Sequence, residues 1–336
     1  MLRLQPVRYL LSALLLLATT PALLAVPAEN LRQIHSSIKT PVGTLHGTLE
    51  LPAIPAPYPV VLINSGSGPI DRNGNAIQLG LHTDCYRLLA VNLAKRGIAS
   101  LRYDKRGAGE DAILGLFESR LKFETFVSDA ASWGRKLRAD KRFSTLIVIG
   151  HSEGSLIGML AAEEIPADGY VSLEGAGEPI QDLILKQLKP QLPPALYRAS
   201  ETIIDNLKQG RTTYTVPQEL QSLFRPSVQP FLISYFRYNP AEEIAKLKIP
   251  ALIVQGERDL QVSKADALAL AKADPRAELV LIPNMNHVLK DVGASGQANL
   301  AAYKDPSLPL DPQLITQLTS FIHSVGNSKG LHHEHL

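Results

Sequence analysis

The sequence has one cysteine, one tryptophan and three methionines among 336 residues. A single cysteine, Cys85, cannot close an internal disulfide, so oxidative cross-linking plays no part in the fold. We expect Cys85 to be a small buried side chain. No fixed-period repeat, low-complexity segment or metal-ligand cluster is visible. We therefore exclude a solenoid or a disulfide-stapled scaffold, and we expect no metal.

An excess of charge of either sign is also absent. The chain has 34 basic and 32 acidic residues, and loss of Arg3 and Arg8 with the N-terminal segment would leave equal numbers. A neutral body has no electrostatic attraction for nucleic acid or an anionic membrane. With 45% hydrophobic residues, the composition is that of a globular domain with a sizeable core.

The one long apolar run lies at the N-terminus. Arg3 and Arg8 precede a leucine-rich run over residues 10–18, and small residues and prolines follow up to Ala28. This layout predicts a secretory signal peptide over residues 1–28, with Ala25 or Ala28 as the last residue before cleavage. We expect an exported protein, periplasmic or secreted, with no membrane span after removal of that segment.

After residue 28, short apolar runs alternate with helical patterns. The predicted strands are residues 44–51, 60–64, 98–103, 145–149, 169–173, 251–255 and 278–282. Helices are predicted between them, including residues 84–96, and residues 71–82 are predicted as a polar loop. This alternation indicates an α/β fold with a doubly wound, mostly parallel sheet.

The strand rhythm stops over residues 176–240, where prolines break a series of helical patterns. We predict a helical cap there, inserted into a core formed by residues 29–175 and 241–326. A helix near residues 313–324 closes the core. Residues 327–336 are predicted to be a flexible tail, although the tail contains His332, His333 and His335.

A G-x-S-x-G pattern, formed by Gly150, Ser152 and Gly154, lies between a predicted strand and a predicted helix. A serine nucleophile needs such a tight, strained turn, and the close approach of strand and helix requires small flanking residues. The turn also places the Glu153 N–H at a helix start, where unpaired donors favour an anion. We predict Ser152 as the nucleophile and Glu153 N–H as an oxyanion donor.

A serine hydroxyl needs a base, and in this fold class the chain order is serine, acid, histidine. Asp259 and His287 each follow a late strand by a short turn, so both are predicted at the same sheet edge as Ser152. The rival acids are Glu174, Glu257 and Asp291, and the rival histidines are His46, His82, His151 and His323.

A glycine-rich loop, residues 65–69, follows the strand over residues 60–64. Such a loop brings main-chain N–H groups close to a reacting carbonyl. We predict Ser67 N–H as the second oxyanion donor, with Gly66 N–H as the alternative.

The chain resembles a family of bacterial α/β-hydrolases, the small esterases related to serine aminopeptidases and dienelactone hydrolases. The resemblance rests on five segments: GSGPIDRNG at 66–74, LRYDKRGAG at 101–109, GHSEG at 150–154, FRYNP at 236–240 and NMNH at 284–287. It implies a Ser152–Asp259–His287 triad, a cap over the pocket and no cofactor. Asn73 and Glu174 depart from the usual pattern of this family. We also expect structural ion pairs, Asp71 with Arg72 and Asp104 with Arg106.

These features together predict a serine hydrolase of the carboxylesterase kind, which cleaves small esters with short acyl groups through an acyl-enzyme. A serine aminopeptidase or amidase acting on small peptides remains an alternative because the same triad serves both. A non-catalytic binding protein on a hydrolase scaffold is the third hypothesis. The expected partner is a small acyl substrate, with no nucleic acid.

Overall fold

The computed structural model describes residues 31–333, apart from the side chains of residues 117 and 329–333. The predicted signal peptide, residues 1–28, lies outside this range. The strands of the described residues are β1 (Arg32–Thr40), β2 (Gly43–Leu51), β3 (Tyr58–Asn64), β4 (Asn75–Ala76), β5 (Leu81–His82), β6 (Ala99–Tyr103), β7 (Phe143–His151), β8 (Gly169–Leu173), β9 (Ala251–Gly256) and β10 (Glu278–Ile282).

The helices alternate with these strands. They are α1 (Cys85–Ala94), α2 (Phe123–Ala139), α3 (Glu153–Glu164), α4 (Ile180–Leu188), α5 (Pro194–Lys208), α6 (Gln221–Phe224), α7 (Gln229–Tyr235), α8 (Pro240–Lys246), α9 (Lys264–Ala273), α10 (Gly296–Ala301) and α11 (Pro312–His333). Short 3₁₀ helices lie at Ile77–Leu79, Gly109–Arg120, Gln218–Leu220 and Ala302–Lys304. Among these residues, no helix is both long and apolar enough to cross a bilayer.

Eight strands form one sheet in the order β1-β2-β6-β3-β7-β8-β9-β10. β2 pairs antiparallel with β1 and β6, and the other pairs are parallel. Residues 145–151 of the central strand β7 are buried without a break, because side chains on both faces of a covered parallel sheet need apolar surroundings. The predicted doubly wound α/β-hydrolase fold is confirmed.

The core lies on both faces of this sheet. On one face, α2 and α3 contribute to a cluster that includes Trp133 and Leu62. On the other face, α1 and α11 contribute to a cluster that includes Leu89 and Phe321. Because the helices cover both faces, functional groups can gather only at the strand ends, where the loops emerge.

The insertion between β8 and β9 carries α4 to α8. Its apolar side chains, among them Ile204 and Phe224, form a separate cluster. Arg225 donates to Glu118 from Nε at 2.9 Å, which ties the insertion to the 3₁₀ helix Gly109–Arg120. The insertion therefore has its own core and is anchored next to the loop that follows β6.

Two elements were not predicted, β1 and the 3₁₀ helix Gly109–Arg120. The prediction of only a loop over residues 71–82 was wrong, because this segment contains the small β4–β5 sheet. The last helix begins at Pro312 and continues to His333, through most of the segment predicted as a tail. From Gln33 to Thr40, exposed and half-buried residues alternate, as in an edge strand. The half-buried face itself includes Ser36 and Thr40, so the apolar signal in the sequence is weak.

Candidate active site

Ser152 occupies the tight turn between β7 and α3. Its φ of +54° and ψ of −123° are a strained combination for a residue with a side chain, costing roughly 1–3 kcal/mol. A Cβ at Gly150 would lie 2.1 Å from the Gly154 carbonyl oxygen, and a Cβ at Gly154 would lie 2.3 Å from that of Asn64. Close backbone packing therefore requires both glycines of the motif.

Asp259 and His287 meet at the ends of β9 and β10. Asp259 Oδ2 lies 2.7 Å from His287 Nδ1, and the Asp259 side chain is completely buried. Burial raises the pKa of Asp259, but the charge of His287 and hydrogen bonds to His287 and Glu174 outweigh it and lower the pKa to about 2. Asp259 is thus a carboxylate that fixes the imidazole with its Nδ1 proton toward Oδ2.

Ser152 and His287 line one cavity of about 530 Å³, which we call the His287 cavity. With Nδ1 directed at Asp259, only Nε2 of His287 remains for a second partner. In the part of the chain that the structure describes, Ser152 Oγ and His287 form no hydrogen bond. Unliganded active sites often have such long contacts, which tighten when substrate binds.

His151 connects the serine turn to the loop of His287. Its Nε2 lies 2.7 Å from the His287 carbonyl oxygen, so Nε2 carries the proton and Nδ1 accepts from the Tyr86 hydroxyl at 2.7 Å. Burial, followed by the charge of His287, lowers the pKa of His151 to about 3. His151 is therefore a neutral, structural member of the site.

The Gly66 N–H donates to the Tyr86 hydroxyl at 3.0 Å and is thus engaged. Within residues 31–333 the N–H of Ser67 has no hydrogen-bond acceptor. Of the two predicted donors in this loop, Ser67 is therefore the one available to a ligand. Sequence reasoning missed Tyr86. This residue lies on α1, and only the folded chain brings its hydroxyl to the glycine-rich loop.

A buried ion pair braces the two segments that carry Ser67 and Glu153. Lys105 Nζ donates to Glu153 Oε1 at 2.6 Å and to the Gly66 carbonyl oxygen at 2.9 Å. The Ser67 hydroxyl donates to Glu153 Oε2 at 3.3 Å. Both charged side chains are 5% exposed, so the pair is held in a weakly screened environment. The sequence offered no signal for this pairing.

The insertion covers a second cavity of about 400 Å³ on the other side of Glu153. We call it the Lys105 cavity; Lys105, Glu153, Phe126 and Phe231 are among its lining residues. Residues from the predicted cap, 176–240, line this cavity but not the His287 cavity. The insertion therefore contributes to the wall of the Lys105 cavity, and its α4 also contacts the Gln261 main chain through Gln187.

The predicted ion pairs near the entrance have other partners. Arg72 donates to Asp104 from Nε at 3.0 Å, and Arg106 donates to Asp129 from Nε at 2.6 Å. Asp71 instead accepts two main-chain N–H groups of its own turn, at 2.8 and 2.9 Å. Proximity in sequence was misleading because adjacent side chains project in different directions at the ends of strands.

Of the rival acids and histidines, Glu174 and the structural His151 lie at the site. Glu257 pairs with Lys264 on the surface, and His46 bonds to Asp111 through Nδ1 at 2.6 Å. Glu174 is fully buried, and Gln255 Nε2 contacts both its carboxyl group and that of Asp259. Sequence reasoning had treated Glu174 as an alternative acid, whereas the structure brings both carboxyl groups together.

One group of possible metal ligands forms in the described residues. Ligand atoms of His35, His46 and Glu110 lie within 4.8 Å of one another, but none of the three lines the His287 cavity. Cys85 is buried, and burial raises the pKa of its thiol to about 11. Neither feature contributes a reactive group to the serine site.

This sheet, with a serine on the turn after its central strand, defines the chain as an α/β-hydrolase. Residues 79–290 match the family model Hydrolase_4, described as serine aminopeptidase, S33. This match covers more than half of the sequence, so the chain belongs to that family. The resemblance inferred from the sequence is confirmed.

Similar proteins agree with this assignment. The chain is 26% identical over 267 residues to esterase EstD of Thermotoga maritima, covering 78% of this chain and 61% of the relative. It therefore spans less than two thirds of that relative's length. The structure of Est1E from Butyrivibrio proteoclasticus has a TM-score of 0.53 at 14% identity, covering 86% of this chain and 99% of that one.

Acylaminoacyl peptidase from Pyrococcus horikoshii also has a TM-score of 0.53, at 13% identity, covering 88% of this chain and 42% of that one. At these identities the two structural likenesses indicate the fold alone. Esterases and peptidases share it, so the choice between their activities depends on the site of this chain.

Proposed function

We propose that the protein is a serine hydrolase that cleaves carboxylic esters through an acyl-enzyme. The observation that carries this proposal is the 2.7 Å contact of the buried Asp259 with His287, which lines a cavity together with the strained Ser152. A binding protein on the same scaffold would not need a buried acid oriented toward a histidine.

In the proposed mechanism, His287 takes the proton of Ser152 while the hydroxyl oxygen attacks the ester carbonyl. Asp259 stabilises the resulting imidazolium. The Ser67 and Glu153 N–H groups hold the oxyanion. The intermediate collapses, His287 protonates the leaving alcohol, and an acyl-Ser152 ester remains. His287 then deprotonates a water, which releases the acid and restores Ser152.

The charges around the serine favour an ester over a peptide with a free amino terminus. An aminopeptidase needs a carboxylate to hold the substrate ammonium. No aspartate or glutamate is among the described residues that line the His287 cavity. In the Lys105 cavity, Glu118 is paired with Arg225 and Glu153 with Lys105. These pairings support a substrate without a positive charge.

The apolar lining of the His287 cavity supports a small acyl substrate. Ile70, Leu81 and Val288 line it, and Leu79 and Leu300 lie exposed at its edge. We further propose that short acyl groups are preferred and that the protein is exported. The support for export is the pattern over residues 1–28, two arginines followed by a leucine-rich run and small residues.

The test is a panel of aryl esters of increasing acyl length, assayed alongside aminoacyl anilides. We expect turnover of the esters, highest for short acyl groups, and loss of that turnover in Ser152→Ala. The matched control is Ser222→Ala, which changes an exposed serine of the insertion. Preference for anilides would favour the aminopeptidase, and no turnover of either class would favour a binding protein.

A further inference from the structure

Glu174, which plays no part in the mechanism above, lies directly behind Asp259. It follows β8, adopts a φ of +49° and is fully buried. A carboxylate in such a place is costly unless a cation compensates it. Among residues 31–333, no lysine or arginine forms an ion pair with Glu174.

Two neighbouring groups hold the Glu174 carboxyl in place. The Gly256 N–H donates to its Oε1 at 2.8 Å, and Gln255 Nε2 donates to its Oε2. The same Gln255 nitrogen lies 3.4 Å from Asp259 Oδ2. One amide nitrogen thus holds the two carboxyl groups side by side, where a shared proton removes their repulsion.

The opposite pKa shifts of Glu174 and Asp259 indicate that the shared proton stays on Glu174. Burial, followed by the charge of Asp259 and a hydrogen bond to it, raises the pKa of Glu174 well above its usual range. Asp259 has the opposite shift because it also faces His287. Tyr303 and His151 also interact with the pair; burial raises the pKa of Tyr303 to about 12 and lowers the pKa of His151 to about 3, so both stay neutral.

We propose that Glu174, as a neutral carboxylic acid, donates an O–H hydrogen bond to the Asp259 carboxylate and thereby positions it against His287. Glu174 is a positioning residue because it acts through Asp259 and does not touch the substrate. The hydrogen bond draws electron density from Asp259, which then stabilises the imidazolium less strongly. The base step therefore continues to lower pH than it would with an unmodified carboxylate.

The effect on catalysis rests on the proposed function, whereas the hydrogen bond from Glu174 to Asp259 does not. The first measurement therefore detects the protonated Glu174 without an activity assay. Infrared difference spectra at pH 7 compare the wild-type protein with Glu174→Gln. We expect the carbonyl band of a protonated carboxylic acid in the wild type and its loss in the variant. Absence of that band in the wild type would overturn the proposal.

The second measurement is the pH profile of kcat/KM on an aryl ester. In Glu174→Leu we expect the acidic limb to move up by about half a pH unit. Glu174→Gln, which retains an N–H donor of similar size, should stay closer to the wild type. In an Asp259→Asn background, Glu174→Leu should cause no further loss because its effect passes through Asp259.

The contrary outcome is that Glu174→Leu lowers kcat/KM equally in the wild-type and Asp259→Asn backgrounds and leaves the acidic limb of the pH profile in place. That result would mean a purely structural role for Glu174 and would contradict the proposal. If Glu174→Leu fails to fold, the infrared comparison of the wild type with Glu174→Gln decides the proposal by itself. A wild-type protein that has the infrared band but cleaves no ester would refute the proposed function while leaving the hydrogen bond in place.

Discussion

His151 Nε2 lies 2.7 Å from the main-chain carbonyl oxygen of His287. This contact links the residue before the nucleophile to the loop that carries the base. With the Tyr86 hydroxyl on its other nitrogen, His151 joins the oxyanion loop, the serine turn and the histidine loop into one hydrogen-bonded unit. The three segments therefore hold their mutual positions before a substrate arrives.

Replacing His151 by phenylalanine should keep the ring volume but remove both hydrogen bonds. The Tyr86 O–H would lose its acceptor and the His287 carbonyl its donor in a buried site, which costs about 1–3 kcal/mol each. We expect a loss of roughly 2–6 kcal/mol in the free energy of unfolding, measured by urea denaturation at pH 7. An unchanged midpoint would mean that these contacts add nothing to stability.

The stability of the protein should fall between pH 6.5 and pH 5. The pKa of His151 is about 3 in the folded protein and near 6.5 in the unfolded chain. Below pH 6.5 the unfolded state therefore binds a proton that the native state excludes. The stabilisation is fully present above pH 6.5 and declines by about 2 kcal/mol down to pH 5. His151→Phe should lack this decline, whereas an equal decline in the variant would assign it to another group.

The glycines of the serine turn should tolerate no side chain. Gly154→Ala would place a Cβ 2.3 Å from the Asn64 carbonyl oxygen, and overpacking against backbone should cost about 3 kcal/mol. Gly296→Ala is the matched control because nothing lies within 4 Å of its added Cβ. Urea denaturation of both variants measures the difference; equal stability would refute the packing argument.

Removing only Lys105 from the Lys105–Glu153 ion pair should destabilise the protein more than replacing both residues with apolar ones. Lys105→Met leaves a buried carboxylate without its cation, which typically costs about 3–5 kcal/mol. The double variant Lys105→Met, Glu153→Leu removes both charges and should recover much of that stability. Because Lys105 also holds the Gly66 carbonyl oxygen, kcat should remain reduced in both variants. Wild-type kcat in Lys105→Met would mean that this brace does not position the oxyanion loop.

The sequence predicted those parts of the fold and site that depend on local patterns. Buried strands gave continuous apolar runs, and the serine turn had its glycines and flanking elements. The two acids at strand ends, Glu174 and Asp259, could be identified individually as candidates. Their placement side by side could not, because it depends on β8 and β9 being neighbours and on the Gln255 amide between them.

Other partners were missed for the same reason. Arg106 bonds Asp129 on α2 instead of its sequence neighbour Asp104, and Lys105 reaches across 48 positions to Glu153. Long side chains at strand ends choose among partners from several elements. Only the packing of those elements decides which partner lies within reach.

The most direct test of the central claim is covalent labelling of the serine by an aryl phosphonate ester, followed by intact mass measurement and peptide mapping. We predict one adduct per chain, located on Ser152, absent in Ser152→Ala and formed far more slowly in His287→Ala. An adduct on another residue, or labelling of Ser152 at an unchanged rate without His287, would contradict the account.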